Sequence, residues 1–454
     1  MTVEVQSHPA HLPACWPHSV TFFSNLHSMF FGNELQTEVL EDHVKRLGTY
    51  GGRAIPILNL LFRGHPNLLV LEDTPDPSLL QYFQDRLQLD LPDMVVLPAD
   101  VYQLFASFEE FKALNVHRET LERIASHASL RIDGFVTDSI LEKLAKSLGK
   151  PTLCTSEASH QGNNKLLLHQ FQEAQGMAHF ETILAAAPQE VPACLRKLRE
   201  RGYKRAAIKS QIGASGLGMM TVSTDESDAT EIPAHLFFEG PCMVQGWLHD
   251  PEQGHVVVGS PSVQMFCNDN AVELYDLTDQ ILDDASVWEG NISPAATETD
   301  FPPLRDDLLS QAAIAGQWLH GQGYRGMAST DFVVVKEKRE LRAIVCEINA
   351  RLTGATYPSL LARHFHCQGP WLMRHLTFDP TLSGEAILRT LDESNLLYSQ
   401  GDARGVLPLN FNLNMLGRVH SAQFLCLEDT RPRCCELLEE VIGLLPVSRD
   451  SQHA

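Results

Sequence analysis

Between two β-compatible runs, Ala206-Ala-Ile-Lys209 and Met219-Met-Thr-Val-Ser223, the chain carries Lys209-Ser-Gln-Ile-Gly213-Ala-Ser215-Gly216-Leu-Gly218. A dinucleotide fingerprint or a Walker-type phosphate loop must lead into a helix. Here a strand follows, so the segment reads as a glycine-rich β-hairpin. Its glycines let backbone N–H groups approach phosphate oxygens, with Lys209 supplying a point charge and Ser215 a hydroxyl. The bland alternative is an ordinary flexible hairpin. The 454-residue chain is acidic, with 35 Lys plus Arg against 57 Asp plus Glu, yet Arg196 to Lys209 holds seven of those basic residues. Most of them read as a solvated helix face. Lys209 differs because it sits in an apolar strand, where a cation is costly to bury without a partner such as phosphate.

The second feature is Glu347-Ile-Asn349-Ala-Arg351, which closes a strand-like run and follows Asp331 by sixteen residues. Strand alternation puts Glu347, Asn349 and Arg351 on one face and Ile348 and Ala350 on the other. Oxygens from Asp331, Glu347 and Asn349 suit Mg²⁺, which is commonly shared between one or two carboxylates and nucleotide phosphates. Arg351 offers a planar fork to a phosphate or carboxylate. The alternative is a polar surface strand, but Ile344, Cys346 and Ile348 make the strand look internal. His364-Phe-His366-Cys367 is a weaker metal candidate, since three ligands so close need a fourth from elsewhere to complete a zinc tetrahedron.

Around these features the sequence divides into blocks. Residues 1–150 alternate strand and helix signals, as a parallel α/β layer does. Two strands are expected in AIPILNLLF, from Ala54, and in NLLVLED, from Asn67, and a helix over Pro77 to Leu89. MVVLP at 94–98 is a further strand, and residues 108–127 are read as helical. From Asn164-Lys165 a helix runs to a stop at Gly176. A β-rich stretch follows, then a helix over Leu304 to Gly323 and the two strands carrying Asp331 and Glu347. Two more strands and a helix containing Cys434-Cys435, read as packing, complete the chain. A net charge of −22 disfavours nucleic acid and anionic membranes as general partners. Ten scattered cysteines and no apolar run of 18 residues point to a reduced, cytoplasmic protein.

The order of these motifs resembles the ATP-grasp ligase family. In that likeness Lys165 and Lys209 correspond to the two nucleotide lysines, and the loop with Gly213, Ser215, Gly216 and Gly218 to the flap over the phosphates. Gln245-Gly246-Trp247-Leu248 corresponds to the hinge that hydrogen-bonds adenine through its backbone, although Gln245 stands where the family usually has an acid. Asp331, Glu347 and Asn349 correspond to the metal ligands, and Arg351 and Lys209 to the residues that act on the reacting charge.

The resemblance implies an α/β and α+β chain with three parts: a pre-ATP-grasp α/β domain at 1–150, an ATP-grasp fold at 151–375, and a small α+β C-terminal domain at 376–454. A nearer likeness, to the peptide ligases of the pheganomycin type, rests on Gly52-Arg53, Thr278-Asp279-Gln280, Trp288-Glu-Gly290 and Gly405-Val-Leu-Pro408. It implies ATP and Mg²⁺ as cofactors, a carboxylate and an amine as substrates, and an amide bond formed through an acyl phosphate. Two alternatives stay open: loading of an amino acid onto a carrier-protein thiol, and a non-catalytic nucleotide-binding protein of the same fold. A homodimer also stays open. Arg53 is a candidate for holding a substrate carboxylate.

Overall fold

The computed structural model describes residues 1–6, 11–13, 16–30, 53–63, 66–98, 101–102, 117–213, 218–225, 231–282, 288–296, 302–338, 340–365 and 369–448. The first of these hold β1 (Thr2–Val5), β2 (Val20–Phe23), α1 (Leu58–Leu61), β3 (Leu68–Leu71), α2 (Pro77–Asp85), β4 (Asp93–Val96), α3 (Arg118–Ser126), β5 (Arg131–Gly134) and α4 (Ser139–Ser147). Strands β2 to β5 make the expected parallel sheet, ordered β4-β3-β2-β5. All four residues of β3 are buried, as the continuous apolar spelling of a strand covered on both faces requires. Helix α2 starts where Asp76 accepts hydrogen bonds from Ser78 N at 2.9 Å and Leu79 N at 3.1 Å, with Pro77 opening the first turn.

One expectation fails in this region, and one strand lies outside the layer. AIPILNLLF is not a strand: it forms turns and the single helical turn α1, with Ala54, Ile55, Ile57, Leu58, Leu61 and Phe62 all buried. An apolar run buried all round carries no periodicity that separates helix from strand. β1 does not join the N-terminal layer either, but pairs in parallel with residues 271–274 of the largest sheet. Of the helix expected at 108–127, residues 108–116 lie outside the described ones, and α3 covers 118–126.

The middle of the chain runs α5 (Ser156–Asn163), α6 (Lys165–Gln175), β6 (Thr182–Ala185), α7 (Val191–Glu200), β7 (Arg205–Lys209), β8 (Met219–Ser223) and β9 (Cys242–Gly246). These strands form a second sheet, β6-β9-β7-β8, in which β7 and β8 are the expected antiparallel hairpin. Val191, Leu195 and Leu198 of α7 pack on Ala206, Ile208, Val222 and Val244 of this sheet. Helix α6 begins with Asn164 as its cap and ends at Gly176, whose φ of +65° is the left-handed turn that glycine adopts without strain.

Next come β10 (His255–Gly259), β11 (Pro261–Cys267), β12 (Ala271–Leu282), β13 (Trp288–Ser293), α8 (Pro302–Gly321), β14 (Gly326–Glu337), β15 (Glu340–Asn349), α9 (Thr356–His364), β16 (Trp371–Leu382), α10 (Gly384–Glu393), β17 (Gly405–Leu413), β18 (Val419–Leu427) and α11 (Arg431–Leu444). They build a ten-stranded sheet on the path β10-β14-β11-β12-β13-β16-β18-β17, with β15 on β14 and β1 on β12. The boundary expected at 375/376 falls inside β16, which pairs β13 on one side and β18 on the other. The C-terminal strands therefore continue the central sheet, and Val406, Phe424 and Leu425 share one apolar core with Phe22, Phe62 and Tyr82 of the N-terminal layer. Cys434 is packed inside, whereas Cys435 is exposed rather than part of the packing. Among the described residues no helix is long and apolar enough to cross a membrane.

Candidate active site

The β14–β15 hairpin delivers the acidic half of the site. Its register sets Asp331 opposite Glu347 and Ser329 opposite Asn349, so the predicted oxygen donors stand side by side on adjacent strands. Asp331 is held by three donors: Ser262 Oγ at 2.6 Å and Ser329 Oγ at 3.1 Å reach Oδ1, and Asn349 Nδ2 reaches Oδ2 at 2.8 Å. Because the Asn349 nitrogen is spent on Asp331, its amide oxygen is the atom left for a cation. Burial, and then the neighbouring Glu347 charge, push the Asp331 carboxyl up to about 6. Burial alone would raise Glu347 too, but Lys165 and Arg351, with Lys209 beyond, outweigh it and hold Glu347 below its ordinary value.

Cations come from the other side. Lys165, the first residue of α6, donates to Gly213 O at 2.8 Å and pairs with Glu347 Oε2 at 3.2 Å. It therefore ties the glycine hairpin of the second sheet to the acidic strand of the largest one. The cap residue Asn164 secures this placement, since its Oδ1 accepts from Leu166 N and Leu167 N while its Nδ2 donates to Gln211 Oε1 at 2.9 Å. Lys209 ends β7 over the Phe180 ring at 5.4 Å, and burial, followed by the repulsion of Lys165, lowers its ammonium. Arg351 donates to Asn163 Oδ1 at 2.8 Å, the oxygen that also accepts from Ala350 N at 3.1 Å. The junction of α5 and α6 thus fixes the end of β15.

The hairpin closes through Ser210, whose N–H donates to Gly218 O at 2.8 Å. Gly218 has φ +81°, and a Cβ there would collide with Ser210 Oγ. Gly218→Ala should therefore destabilise the hairpin by about 1–2 kcal/mol. Titration with Mg-ADP should show affinity loosened about tenfold, and an unchanged affinity would separate this turn from nucleotide binding. Ser215 and Gly216 lie outside the described residues.

The expected hinge begins inside β9, whose last two residues are Gln245 and Gly246. Gln245 is buried and donates to Thr182 Oγ1 at 3.1 Å, while the N–H groups of Gly246 and Trp247 are spent on the carbonyls of Glu181 and Arg205. Trp247 lies under the Arg205 guanidinium at 5.6 Å, and Leu248 packs against Val335 and Ile344. Two of the segment's N–H groups therefore bind the protein itself rather than being left for a purine edge.

Sequence reading missed Asn163, Ser262 and Ser329. Ser329 stands two residues before Asp331 on the same strand face, a spacing visible in the sequence. Ser262 meets Asp331 only through the β11–β14 register, which no local pattern spells. His366 and Cys367 of the weak zinc candidate lie outside the described residues. Among the described residues no group of three or more His, Cys, Asp or Glu could hold a metal ion. Two carboxylates and an amide oxygen nevertheless fit Mg²⁺, which keeps water and phosphate oxygens in its shell, and a divalent cation would relieve the like charge that presses on Asp331.

No protein-family model and no curated protein sequence matches the chain. Solved structures do. N5-carboxyaminoimidazole ribonucleotide synthetase from Thermus thermophilus superposes with TM-score 0.54 at 14% identity, covering 94% of this chain and 98% of that one. The Aspergillus clavatus N5-carboxyaminoimidazole synthase, in complex with ADP and its aminoimidazole ribonucleotide, gives 0.52 at 13% identity over 94% and 98%. The biotin carboxylase domain of Hydrogenobacter thermophilus 2-oxoglutarate carboxylase, with MgADP and bicarbonate, gives 0.56 at 10% identity over 95% and 91%. At these identities the likeness is one of architecture: the chain has a multidomain ATP-grasp fold.

Proposed function

We propose that the chain is an ATP-dependent carboxylate–amine ligase. The observation that carries this reading is Lys165, which reaches the carbonyl of the phosphate hairpin and Glu347 of the acidic strand at once. That geometry supports a reading in which cations for phosphates stand beside oxygen donors for Mg²⁺. Asp331, Glu347 and Asn349 would hold the metal, which would supply neutralisation of phosphate charge. Lys165 and Lys209 bind the phosphates. Arg351, oriented by Asn163, stabilises the charge that develops as a substrate carboxylate oxygen attacks the γ-phosphorus and the bond to ADP breaks. An amine then attacks the acyl carbon, phosphate leaves, and the nitrogen loses a proton. Hydrolysis of the acyl phosphate competes, so water must be kept out while the hairpin covers the phosphates.

The finer reading is peptide-bond formation between an amino acid or peptide and an amine. A competing acid is bicarbonate, present in the Hydrogenobacter structure. One screen separates them: release of ADP from Mg-ATP over pairs of carboxylates, bicarbonate included, and amines. The expected result is ADP and phosphate with an amino-acid carboxylate. Release of AMP and pyrophosphate would overturn the acyl-phosphate mechanism, and turnover with bicarbonate alone would overturn peptide-bond formation.

A further inference from the structure

Asp133 and Gly134 end β5, beside Phe22 and Phe23 of β2 in a parallel register. The chain builds outward from β2 through β3 to β4 and then returns to lay β5 on the other side of β2, so the strand order reverses between β2 and β5. In open parallel sheets a ligand crevice lies outside the carboxyl ends of the strands at such a reversal. A recess stands there. It measures about 250 Å³, counting its open mouth, and is lined by Asp133, by Trp16 and Phe62 from the N-terminal part, and by Phe266, Met327 and Leu352 from the side of the largest sheet.

Two polar groups in this apolar recess are poorly matched by the protein. Asp133 receives a hydrogen bond from Gly134 N, and among the described residues no cation acts on it, so burial pushes its carboxyl up to about 7. Trp16 is 6% exposed, and its Nε1 has no hydrogen-bond partner. Its ring is set edge-on to Phe266, with centroids 5.6 Å apart. An unmet donor and a carboxylate without a cation both cost free energy in the interior, and a bound polar group would offset that cost.

The recess adjoins the reacting end of the site. Leu352 directly follows Arg351, and Met327 precedes Asp331 on β14. The electrostatics agree, since the Asp133 charge acts on Tyr324 and Tyr324 acts in turn on Arg351. The other ionisable groups facing Asp133 are Tyr324 and Cys154. Burial pushes both upward, Cys154 to about 12, so both are neutral where Asp133 titrates.

We propose that Asp133 is the catalytic base that readies the amine for attack, with the amine nitrogen seated in this recess. The inference rests on the ligase reading and adds to it the residue that handles the proton. An alkylamine reaches the site as an ammonium ion, which has no lone pair to give. One N–H proton passes to the Asp133 carboxylate, the freed lone pair forms the bond to the acyl carbon, and the carbon–oxygen bond to phosphate breaks. The second proton lost by nitrogen leaves on the departing phosphate, and Asp133 returns its own to water as the product goes. An ordinary carboxylate is a weak base for this transfer, and apolar walls strengthen it. The same walls make Asp133 costly to the fold, and such a cost without a structural return is characteristic of functional sites.

Calorimetric titration of the full chain with methylamine, butylamine and benzylamine hydrochlorides, at pH 8 with and without Mg-ADP, is the first test. At least one should bind in the millimolar range or tighter, and Asp133→Asn should loosen it about tenfold or more, as loss of a hydrogen bond to a charged group does. Asn removes a buried charge without changing volume, so the variant is expected to fold. No binding by any of the three amines, or wild-type affinity in the variant, overturns the proposal. The second test takes the acid that releases ADP in the screen above and presents it with the tightest of these amines and with hydroxylamine, which is unprotonated at pH 7. Asp133→Asn should lower kcat with the alkylamine about 10²–10³-fold and spare kcat with hydroxylamine. Equal losses with both nucleophiles, or an unchanged kcat with the alkylamine, would remove Asp133 as the base. Should no acid release ADP, the titration decides alone. Normal Mg-ADP binding beside failed amine binding leaves the ligase reading standing, whereas a chain that binds amines through Asp133 but does not bind Mg-ADP overturns the ligase reading and the base with it.

Discussion

Glu347→Gln is expected to lower Mg²⁺-dependent release of ADP about 10³-fold while leaving the fold intact. The carboxylate faces Asp331 across the β14–β15 ladder and takes the Lys165 ammonium at 3.2 Å. An amide of the same volume removes one of two negative charges from the proposed metal site and leaves Lys165 without its anion. Catalysis of this kind depends on charges fixed before the reaction begins, and loss of one preorganised group typically costs about 10²–10³ in rate. Loss of metal affinity adds to that. The Glu347 side chain is 29% exposed and gives up its pair with the Lys165 ammonium, so the unfolding midpoint should fall modestly while the chain still folds. ADP release within a few-fold of the wild type, with authentic substrates, would remove Glu347 from the metal site.

Much of this site is legible in the sequence because its two halves are hairpins. The runs around Lys209 and Asp331 are β-compatible and bounded by turns, and a two-residue period assigns Glu347, Asn349 and Arg351 to one face without knowledge of the fold. The helix at Lys165 announces itself through a cap, Asn164, and a stop, Gly176. What stays hidden depends on who sits beside whom. Ser262 holds Asp331 from a strand 69 residues earlier in the chain. Asn163 holds Arg351 across 188 positions. Likewise a domain boundary is expected within β16 because nothing in Trp371 to Leu382 shows that the sheet continues through it to β18. The misread α1 is different in kind, since it is a single turn within a mostly buried apolar run, too short for a period to be read.

Asp133→Asn should make the protein more stable at pH 8 and leave it unchanged near pH 4. Asp133, on β5, is partly exposed but enclosed by neighbours, and burial pushes its carboxyl up to about 7 against the single favourable hydrogen bond from Gly134 N. In the unfolded chain the group titrates near 4. Between those values the folded protein holds a proton that the unfolded chain releases, so the unfolding free energy falls as pH rises through the window and is flat above it. A shift of that size corresponds to about 4 kcal/mol for a fully buried group, and partial exposure reduces it to about 2 kcal/mol. Glu72, also raised to about 7 by burial, acts in the same sense. His375 acts in the opposite one: lowered to about 3, it favours the unfolded state as pH falls below roughly 6.5, where the free imidazole takes a proton. The wild-type curve is therefore a dome, and only the difference between variant and wild type isolates Asp133. Urea unfolding of both proteins at pH 5 and pH 8 measures that difference. It should grow by about 1.3 kcal/mol between the two pH values in favour of Asn, because roughly a third of the effect is already present at pH 5, and a difference independent of pH would mean that Asp133 ionises in the folded chain as freely as in the unfolded one.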